Sequence, residues 1–186
     1  MFDIPMKNYT GLSIGGPADV FVSPDDPLSL RNLIVVLKKK GIPFLPLGGG
    51  TNLLVQDNGV EGVVITLKTF NRIDVLKEGN KYAELFVEAG VSLQRLVNFC
   101  KEKGYSGIEG LAGIPGTVGG AICGNSGSYG AEIKDALDSV AIMDSAGRLD
   151  RFKAEGLGFG YRKSDISQND IVLSANMRFK RDDSSF

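Results

Sequence analysis

The sequence predicts an α+β fold organised in two units, and three observations support this. Alternating strand patterns at residues 18–23 and 82–88 are each followed by a segment with helical periodicity. Strand patterns without helices between them follow late in the chain, at residues 139–143, 149–152 and 171–180. At 186 residues the chain is long enough to bury roughly 70% of the surface that its unfolded form exposes.

The first unit, residues 1–67, is predicted to be strand–helix–strand followed by short strands. After the strand at 18–23, Asp26 is a typical N-cap and Pro27 a typical first helical residue. Lys38, Lys39 and Lys40 suit the end of the helix dipole, and Gly41 ends the helix. Its apolar stripe is Leu30, Leu33, Ile34 and Leu37. We expect strands at 43–47, 53–55 and 63–67, with a turn at 57–59.

The second unit, residues 68–186, begins with the strand at 82–88. Ser92 is expected to cap a helix that ends at Gly104. One face of this helix carries Leu93, Leu96, Val97 and Cys100, so Cys100 is interpreted as a core residue. The later strands include a turn at 144–147, and the polar tail at 181–186 is expected to fray.

The composition excludes several kinds of chemistry. The chain has no histidine, which rules out a Ser-His triad, an imidazole base and a histidine-ligated metal. Cys100 and Cys123 are too few for a zinc or iron–sulfur site, so we expect no metal. With 21 basic and 22 acidic residues, a nucleic-acid partner is not expected. No apolar run could span a membrane and the N-terminus has no secretory pattern, so a cytoplasmic protein is expected.

Glycine is concentrated in one stretch of the sequence. Of the 25 glycines, ten lie between residues 104 and 130. Six of them, from Gly104 to Gly119, recur at every third position. A collagen helix would need this spacing over a much longer segment and abundant proline, whereas the stretch contains only Pro115. We expect a long loop whose backbone needs positive φ or close approach at many points.

A first glycine motif, LGGGTN at residues 47–52, follows an apolar strand. Consecutive glycines let backbone N–H groups converge on an anion, and Thr51 and Asn52 add side-chain donors, so a phosphate or pyrophosphate is a natural ligand. A tight turn without a ligand explains the motif equally well. A Walker A loop is excluded because no Gly-Lys-Ser/Thr occurs, and Leu53 stands where a dinucleotide fingerprint needs glycine.

A second glycine motif, GIPGTVGGA at residues 113–121, continues into NSGSYG at 125–130. A flat aromatic ring or a pyrophosphate could approach such a backbone closely. Two separated glycine motifs without nucleotide-hydrolysis motifs suggest a large bipartite cofactor. Cys123 lies between them and could form a covalent flavin link, although a small packing residue is the favoured interpretation.

Arg162 is the candidate for charge recognition, within FGYRKS at residues 159–164. A guanidinium fork suits a carboxylate or a phosphate. The alternative is a surface arginine without a ligand, which composition alone favours.

Together the motifs resemble the UDP-N-acetylenolpyruvoylglucosamine reductase family, flavoenzymes of bacterial cell-wall synthesis. The resemblance rests on IGGPAD (14–19), LGGGTNLLV (47–55), LAGIPGTVGGAICGNSGSYG (111–130), LGFGYRKS (157–164) and IVLSA (171–175). It implies a two-lobed FAD-binding fold of the vanillyl-alcohol oxidase type. Residues 1–67 and 68–186 would be the two lobes, with FAD held non-covalently between them.

The resemblance also implies residue roles. Arg162 matches the active-site arginine of the family, and Arg162 and Tyr161 would contact the substrate. The first glycine motif would hold the FAD pyrophosphate, and the second would line the pyrophosphate and the isoalloxazine ring. The implied cofactor-binding residues are Gly48, Gly49, Gly50, Thr51, Asn52, Leu53, Gly113, Ile114, Pro115, Gly116, Thr117, Gly119, Gly120, Ala121, Asn125 and Ile171.

The reaction implied by the resemblance is reduction of UDP-GlcNAc-enolpyruvate to UDP-N-acetylmuramate, with NADPH as hydride donor, in peptidoglycan synthesis. Members of the family carry a third, C-terminal substrate domain with a serine proton donor and a glutamate, and no segment of these 186 residues corresponds to it. The chain would therefore supply the FAD-binding part and need that domain in cis or in trans. Two alternatives stay open: a non-catalytic flavin-binding or partner-binding module, and the FAD subunit of another oxidoreductase.

Overall fold

The computed structural model describes residues 1–181, and its first sheet has four strands. They are β1 (Phe2–Pro5), β2 (Pro17–Val22), β3 (Phe44–Leu47) and β4 (Val60–Thr66), in the spatial order β1-β2-β4-β3. β2 and β3 both run parallel to β4, whereas β1 is antiparallel to β2. The carboxyl ends of β3 and β4 therefore lie at the same edge of the sheet.

Helix α1 (Pro27–Lys40) connects β2 to β3, and the structure confirms its predicted caps. The Asp26 carboxylate accepts a hydrogen bond from the Ser29 N–H at 2.7 Å, which lowers the pKa of Asp26. Gly41 ends the helix with φ of 65°, a conformation that glycine adopts without strain. Three of the four predicted stripe residues are buried: Leu30, Ile34 and Leu37.

The strands of the second sheet are β5 (Ile73–Glu78), β6 (Tyr82–Glu88), β7 (Tyr105–Ser106), β10 (Leu137–Met143), β11 (Leu149–Lys153) and β12 (Ile171–Arg181). This sheet is antiparallel, in the order β11-β10-β12-β6-β5, with β7 paired to β12. Helix α2 (Leu93–Lys103) has the predicted caps, Ser92 and Gly104, and buries the predicted face. A short helix α3 (Val118–Cys123) and a small hairpin of β8 (Gly127–Ser128) and β9 (Ala131–Glu132) follow it.

Both sheets contribute to one hydrophobic core. Ile65 of β4 belongs to the same buried cluster as Leu85 of β6, Leu96 of α2 and Met177 of β12. A smaller buried cluster contains Met6, Ala18, Phe21, Leu47, Val55 and Val64. Because the sheets share a core, the loop that follows β3 is held next to the segment around α3.

The glycine-rich stretch at 104–130 is not the single long loop expected from its composition. It contains β7, a 3₁₀ turn at Glu109–Leu111, α3 and β8. Gly119 lies within α3, where a Cβ would come 2.8 Å from the Ala89 Cβ. Close packing against Ala89 therefore requires glycine in a helix that glycine disfavours locally.

Two further expectations need correction. Residues 53–55 are irregular rather than a strand, and Val55 is instead buried in the smaller cluster. Arg181, expected to fray, is the last residue of β12, and the rest of that expected tail, residues 182–186, lies outside the described residues. No helix within residues 1–181 is long and apolar enough to cross a membrane.

Candidate functional site

A cleft between the first glycine motif and α3 forms the candidate site. It consists of two adjoining cavities, one of about 670 Å³ (the larger cavity) and one of about 510 Å³ (the smaller cavity). These volumes suit an organic cofactor. Leu47, Gly48, Leu53, Thr117 and Gly120 are among the residues that line both cavities.

The first glycine motif forms one wall of the larger cavity with unpaired backbone donors. Gly48, Gly49, Gly50, Thr51, Asn52 and Leu53 all line this cavity. The N–H groups of residues 49–52 donate to no backbone carbonyl within residues 1–181. Backbone N–H groups normally have a partner, and a run of free ones forms an anion-binding concavity. The wall therefore fits a phosphate-bearing cofactor.

The glycines of this motif also allow close packing of two segments. A Cβ on Gly49 would come 2.9 Å from the Gly116 Cα, and a Cβ on Gly48 would come 2.9 Å from the Thr117 Oγ1. The Thr51 hydroxyl donates to the Pro115 carbonyl at 3.3 Å. The tight-turn interpretation and the anion-site interpretation are thus compatible, because the same glycines permit packing and leave donors free.

The second glycine motif supplies the opposite wall. Ile114, Pro115, Gly116, Thr117, Gly120 and Ala121 line the larger cavity, while Gly119 and Ile171 line the smaller one. Within the described chain, the one heavy atom within 4 Å of a Cβ at Gly120, apart from the α3 backbone, is the Thr117 Oγ1 at 3.6 Å. Gly120 thus leaves open space where any other residue would place atoms, which fits close approach of a flat cofactor.

Three predicted site residues do not line either cavity: Gly113, Asn125 and Tyr161. The Tyr161 side chain is exposed. Asn125 is fully buried, and its Nδ2 donates to the Gly160 carbonyl at 2.9 Å. Asn125 therefore connects the second glycine motif to the segment that carries Arg162.

Arg162 does line the larger cavity, on a tight turn between Gly160 and Lys163. The turn is closed by two backbone hydrogen bonds between these residues, and Arg162 has φ of 55°, an uncommon conformation for arginine. Besides the bond from Asn125, the Ser164 hydroxyl donates to the Cys123 carbonyl at 2.8 Å. These two bonds fix the turn to the end of α3, so the arginine has a defined place in the cavity wall.

The Glu132 carboxylate lies near this turn. Glu132 forms an ion pair with Lys134, and Lys134, together with Asn125 and more weakly Arg162, lowers the pKa of the Glu132 carboxyl. Because Glu132 already pairs with Lys134, the Arg162 guanidinium keeps hydrogen-bonding capacity for an anion in the cavity.

Cys123 lines the smaller cavity, and its thiol is predicted to be unreactive. Cys123 is exposed at the cavity wall, but partial desolvation of its thiolate by the surrounding protein atoms raises the pKa of Cys123 to about 11. Because the thiolate is the nucleophile, alkylation of the Cys123 peptide should accelerate about tenfold for each pH unit from 7 to 10. Mass spectrometry after iodoacetamide treatment measures this rate, and a plateau below pH 9 would contradict the prediction. Because an unreactive Cys123 would form no covalent bond to a flavin, acid precipitation of the protein should release any bound flavin.

The sequence missed most of the smaller cavity. Its wall includes residues at the carboxyl end of β4 and residues that precede β12, among them Leu67, Lys68, Ile166 and Asp170. Ligands of open α/β sheets bind at the carboxyl ends of parallel strands. Had the parallel pairing of β3 with β4 been predicted from the sequence, Lys68, which follows β4, would have been expected beside Gly48, which follows β3.

These features define the class of the protein: an FAD-binding flavoprotein fold with a cleft between two sheets. The FAD binding domain family matches residues 18–153, and the chain belongs to this family. The expected cofactor, FAD, is thereby confirmed. Cholesterol oxidase from Brevibacterium sterolicum has a similar fold, with a TM-score of 0.72 at 14% identity over 92% of this chain and 36% of that protein. The predicted vanillyl-alcohol oxidase type of fold is confirmed.

Closer relatives are named for one activity. The chain is 42% identical to the UDP-N-acetylenolpyruvoylglucosamine reductase of Pelobacter propionicus over 95% of its own length and 58% of the relative. The crystal structure of UDP-N-acetylenolpyruvylglucosamine reductase from Thermus caldophilus has a TM-score of 0.80 at 35% identity, over 95% of this chain and 61% of that one. The chain thus spans about three-fifths of the relatives that it resembles.

Proposed function

We propose that this chain supplies the FAD-binding part of a UDP-N-acetylenolpyruvoylglucosamine reductase, with residues 1–67 and 68–186 as its two lobes. The substrate would be UDP-GlcNAc-enolpyruvate and the reductant NADPH, in peptidoglycan synthesis in the cytoplasm. The observation that carries the proposal is the placement of Arg162 in the same cavity wall as the first glycine motif. The 42% identity to a relative of that name supports it.

Different residues of the chain would have different roles in such a reaction. FAD, when bound, supplies a two-electron carrier between NADPH and the enolpyruvyl double bond. The free N–H groups of residues 49–52 would bind its pyrophosphate. Arg162 would bind the enolpyruvyl carboxylate and stabilise the negative charge that develops next to it during reduction. The walls formed by Leu53 and Ile114 would exclude water from the reacting carbon.

The proposal is tested by restoring the portion of the relatives that this chain does not span. The chain is fused to the C-terminal portion of the Pelobacter propionicus reductase, loaded with FAD and assayed for NADPH oxidation that depends on UDP-GlcNAc-enolpyruvate. We expect the fusion to catalyse substrate-dependent NADPH oxidation, and we expect the 186-residue chain alone not to do so. A folded, FAD-loaded fusion without substrate-dependent oxidation would overturn the proposal.

The hydrogen bond from Ser164 is expected to matter for the reaction. Ser164→Ala removes the bond to the Cys123 carbonyl and should lower kcat/KM of the fusion about fivefold, because one such bond contributes about 1 kcal/mol. FAD affinity should not change, since Ser164 lines neither cavity. Ser164→Thr keeps the hydroxyl and is the matched control. Equal kinetics for Ser164→Ala and the unmodified fusion would show that the bond does not position Arg162.

A further inference from the structure

Lys68 is a cation of the cleft that neither the motifs nor the proposed reaction uses. It follows the carboxyl end of β4 and lines the smaller cavity together with Gly48. It also lines a side pocket of about 170 Å³ with Gly48 and Gly49. Among the residues described in these three cavity walls, the cations are Lys68 and Arg162.

The Lys68 ammonium is held beside the first glycine motif by an aromatic ring. Its Nζ lies 5.1 Å from the centroid of the Tyr9 ring, a cation–π contact. The Tyr9 carbonyl packs directly against Gly50, and the Gly11 N–H donates to the Gly50 carbonyl at 2.9 Å. Tyr9 therefore contacts both the ammonium of the exposed Lys68 and the glycine backbone.

No carboxylate pairs with this ammonium within residues 1–181. The ion pairs of the described chain involve other cations. Of the residues lining the smaller cavity and the side pocket, Asp170 is the acidic one, and it forms no ion pair with Lys68. A lysine that lines a cleft without a carboxylate partner can neutralise an anionic ligand.

The pyrophosphate of FAD needs such a partner. It is dianionic, and placing negative charge in a partly dehydrated cleft is unfavourable unless cations or donors compensate for it. Backbone N–H groups supply partial charges only, and the proposed reaction reserves Arg162 for the substrate carboxylate. We infer that Lys68 neutralises the pyrophosphate of FAD and makes the cleft selective for phosphate-bearing flavins over riboflavin. The inference rests on the FAD binding that the proposed function also needs.

The test compares two flavins on two lysine variants of this chain. The chain and its Lys68→Gln variant are titrated with FAD and with riboflavin at low and high salt, and binding is followed by flavin fluorescence. Lys68→Gln should raise the Kd for FAD about 10–100-fold, as expected for loss of a charged hydrogen bond, and should weaken the salt dependence of that Kd. The Kd for riboflavin should stay unchanged. The matched control is Lys39→Gln, on the exposed end of α1.

The outcomes separate this inference from the proposed function. Wild-type affinity for FAD in Lys68→Gln would overturn the role of Lys68 and leave the proposed function standing. An equal loss for FAD and riboflavin, with unchanged thermal unfolding, would assign Lys68 to the flavin ring or to Tyr9 and would overturn phosphate selectivity. Wild-type chain that binds neither flavin would overturn both.

Discussion

Replacing Arg162 with alanine is expected to lower the rate of substrate reduction by about 10²–10³-fold, the usual loss when one preorganised electrostatic donor is removed. The residue lines the larger cavity on a turn whose backbone is fixed by hydrogen bonds from Asn125 and Ser164, so the position of Arg162 in the cavity wall is defined. Reduction of the bound flavin by NADPH should stay fast, because that half of the reaction does not involve the enolpyruvyl carboxylate. Rapid-mixing absorbance measurements on the FAD-loaded fusion separate the two halves.

Two controls accompany this variant. Arg162→Lys keeps the charge but loses the planar fork, so it should recover only part of the rate. Arg178→Ala removes an exposed arginine that pairs with Glu84 away from the cavities, and it should behave as wild type. An Arg162→Ala variant that reduces substrate at the wild-type rate would favour the alternative of a non-catalytic flavin-binding module.

Filling the space at Gly120 is expected to weaken FAD binding without unfolding the chain. A leucine there would place side-chain atoms in the open wall that both cavities share. Overpacking typically costs roughly 1–3 kcal/mol, so the Kd for FAD should rise about 5–150-fold. Because glycine is a poor helix former, the apo chain should be as stable as wild type or slightly more stable. Calorimetric titration and thermal unfolding of the apo chain measure the two effects.

Gly156 offers a matched control for this substitution. It lies in the 3₁₀ turn Ala154–Leu157, and a Cβ there would meet no heavy atom of residues 1–181 within 4 Å. Gly156→Leu should keep wild-type FAD affinity. Unchanged FAD binding in Gly120→Leu would mean that the cofactor lies elsewhere.

The elements specified by local chemistry were predictable. Both long helices begin and end where their caps predict, because an N-cap side chain and a left-handed glycine act on adjacent backbone groups. β1 and β5 were not predicted, because each is mostly exposed and is stabilised by antiparallel pairing with the next strand, β2 or β6, rather than by an apolar pattern of its own. Helix α3 was missed for a similar reason: its glycines disfavour a helix, and contact between Gly119 and Ala89 overrides that preference.

In the candidate site, too, the features marked by local sequence were predictable and those set by contacts between distant segments were not. The two glycine motifs and Arg162 were found from the sequence because unusual residue types mark them. Lys68 and Ile166 are ordinary residues that reach the cleft only through the parallel pairing of β3 with β4 and the return of the chain into β12. Asn125 was recognised as part of a motif, but its buried bond to Gly160 could not be read from spacing.

The central claim, that this cleft binds FAD between the two glycine motifs, is tested most directly by titrating the 186-residue chain itself with FAD. We predict saturable binding of one FAD per chain, quenched flavin fluorescence, and a Kd for FAD about 5–150-fold higher in Gly120→Leu. A folded wild-type chain that leaves the flavin spectrum unchanged and releases no heat on mixing would contradict the account.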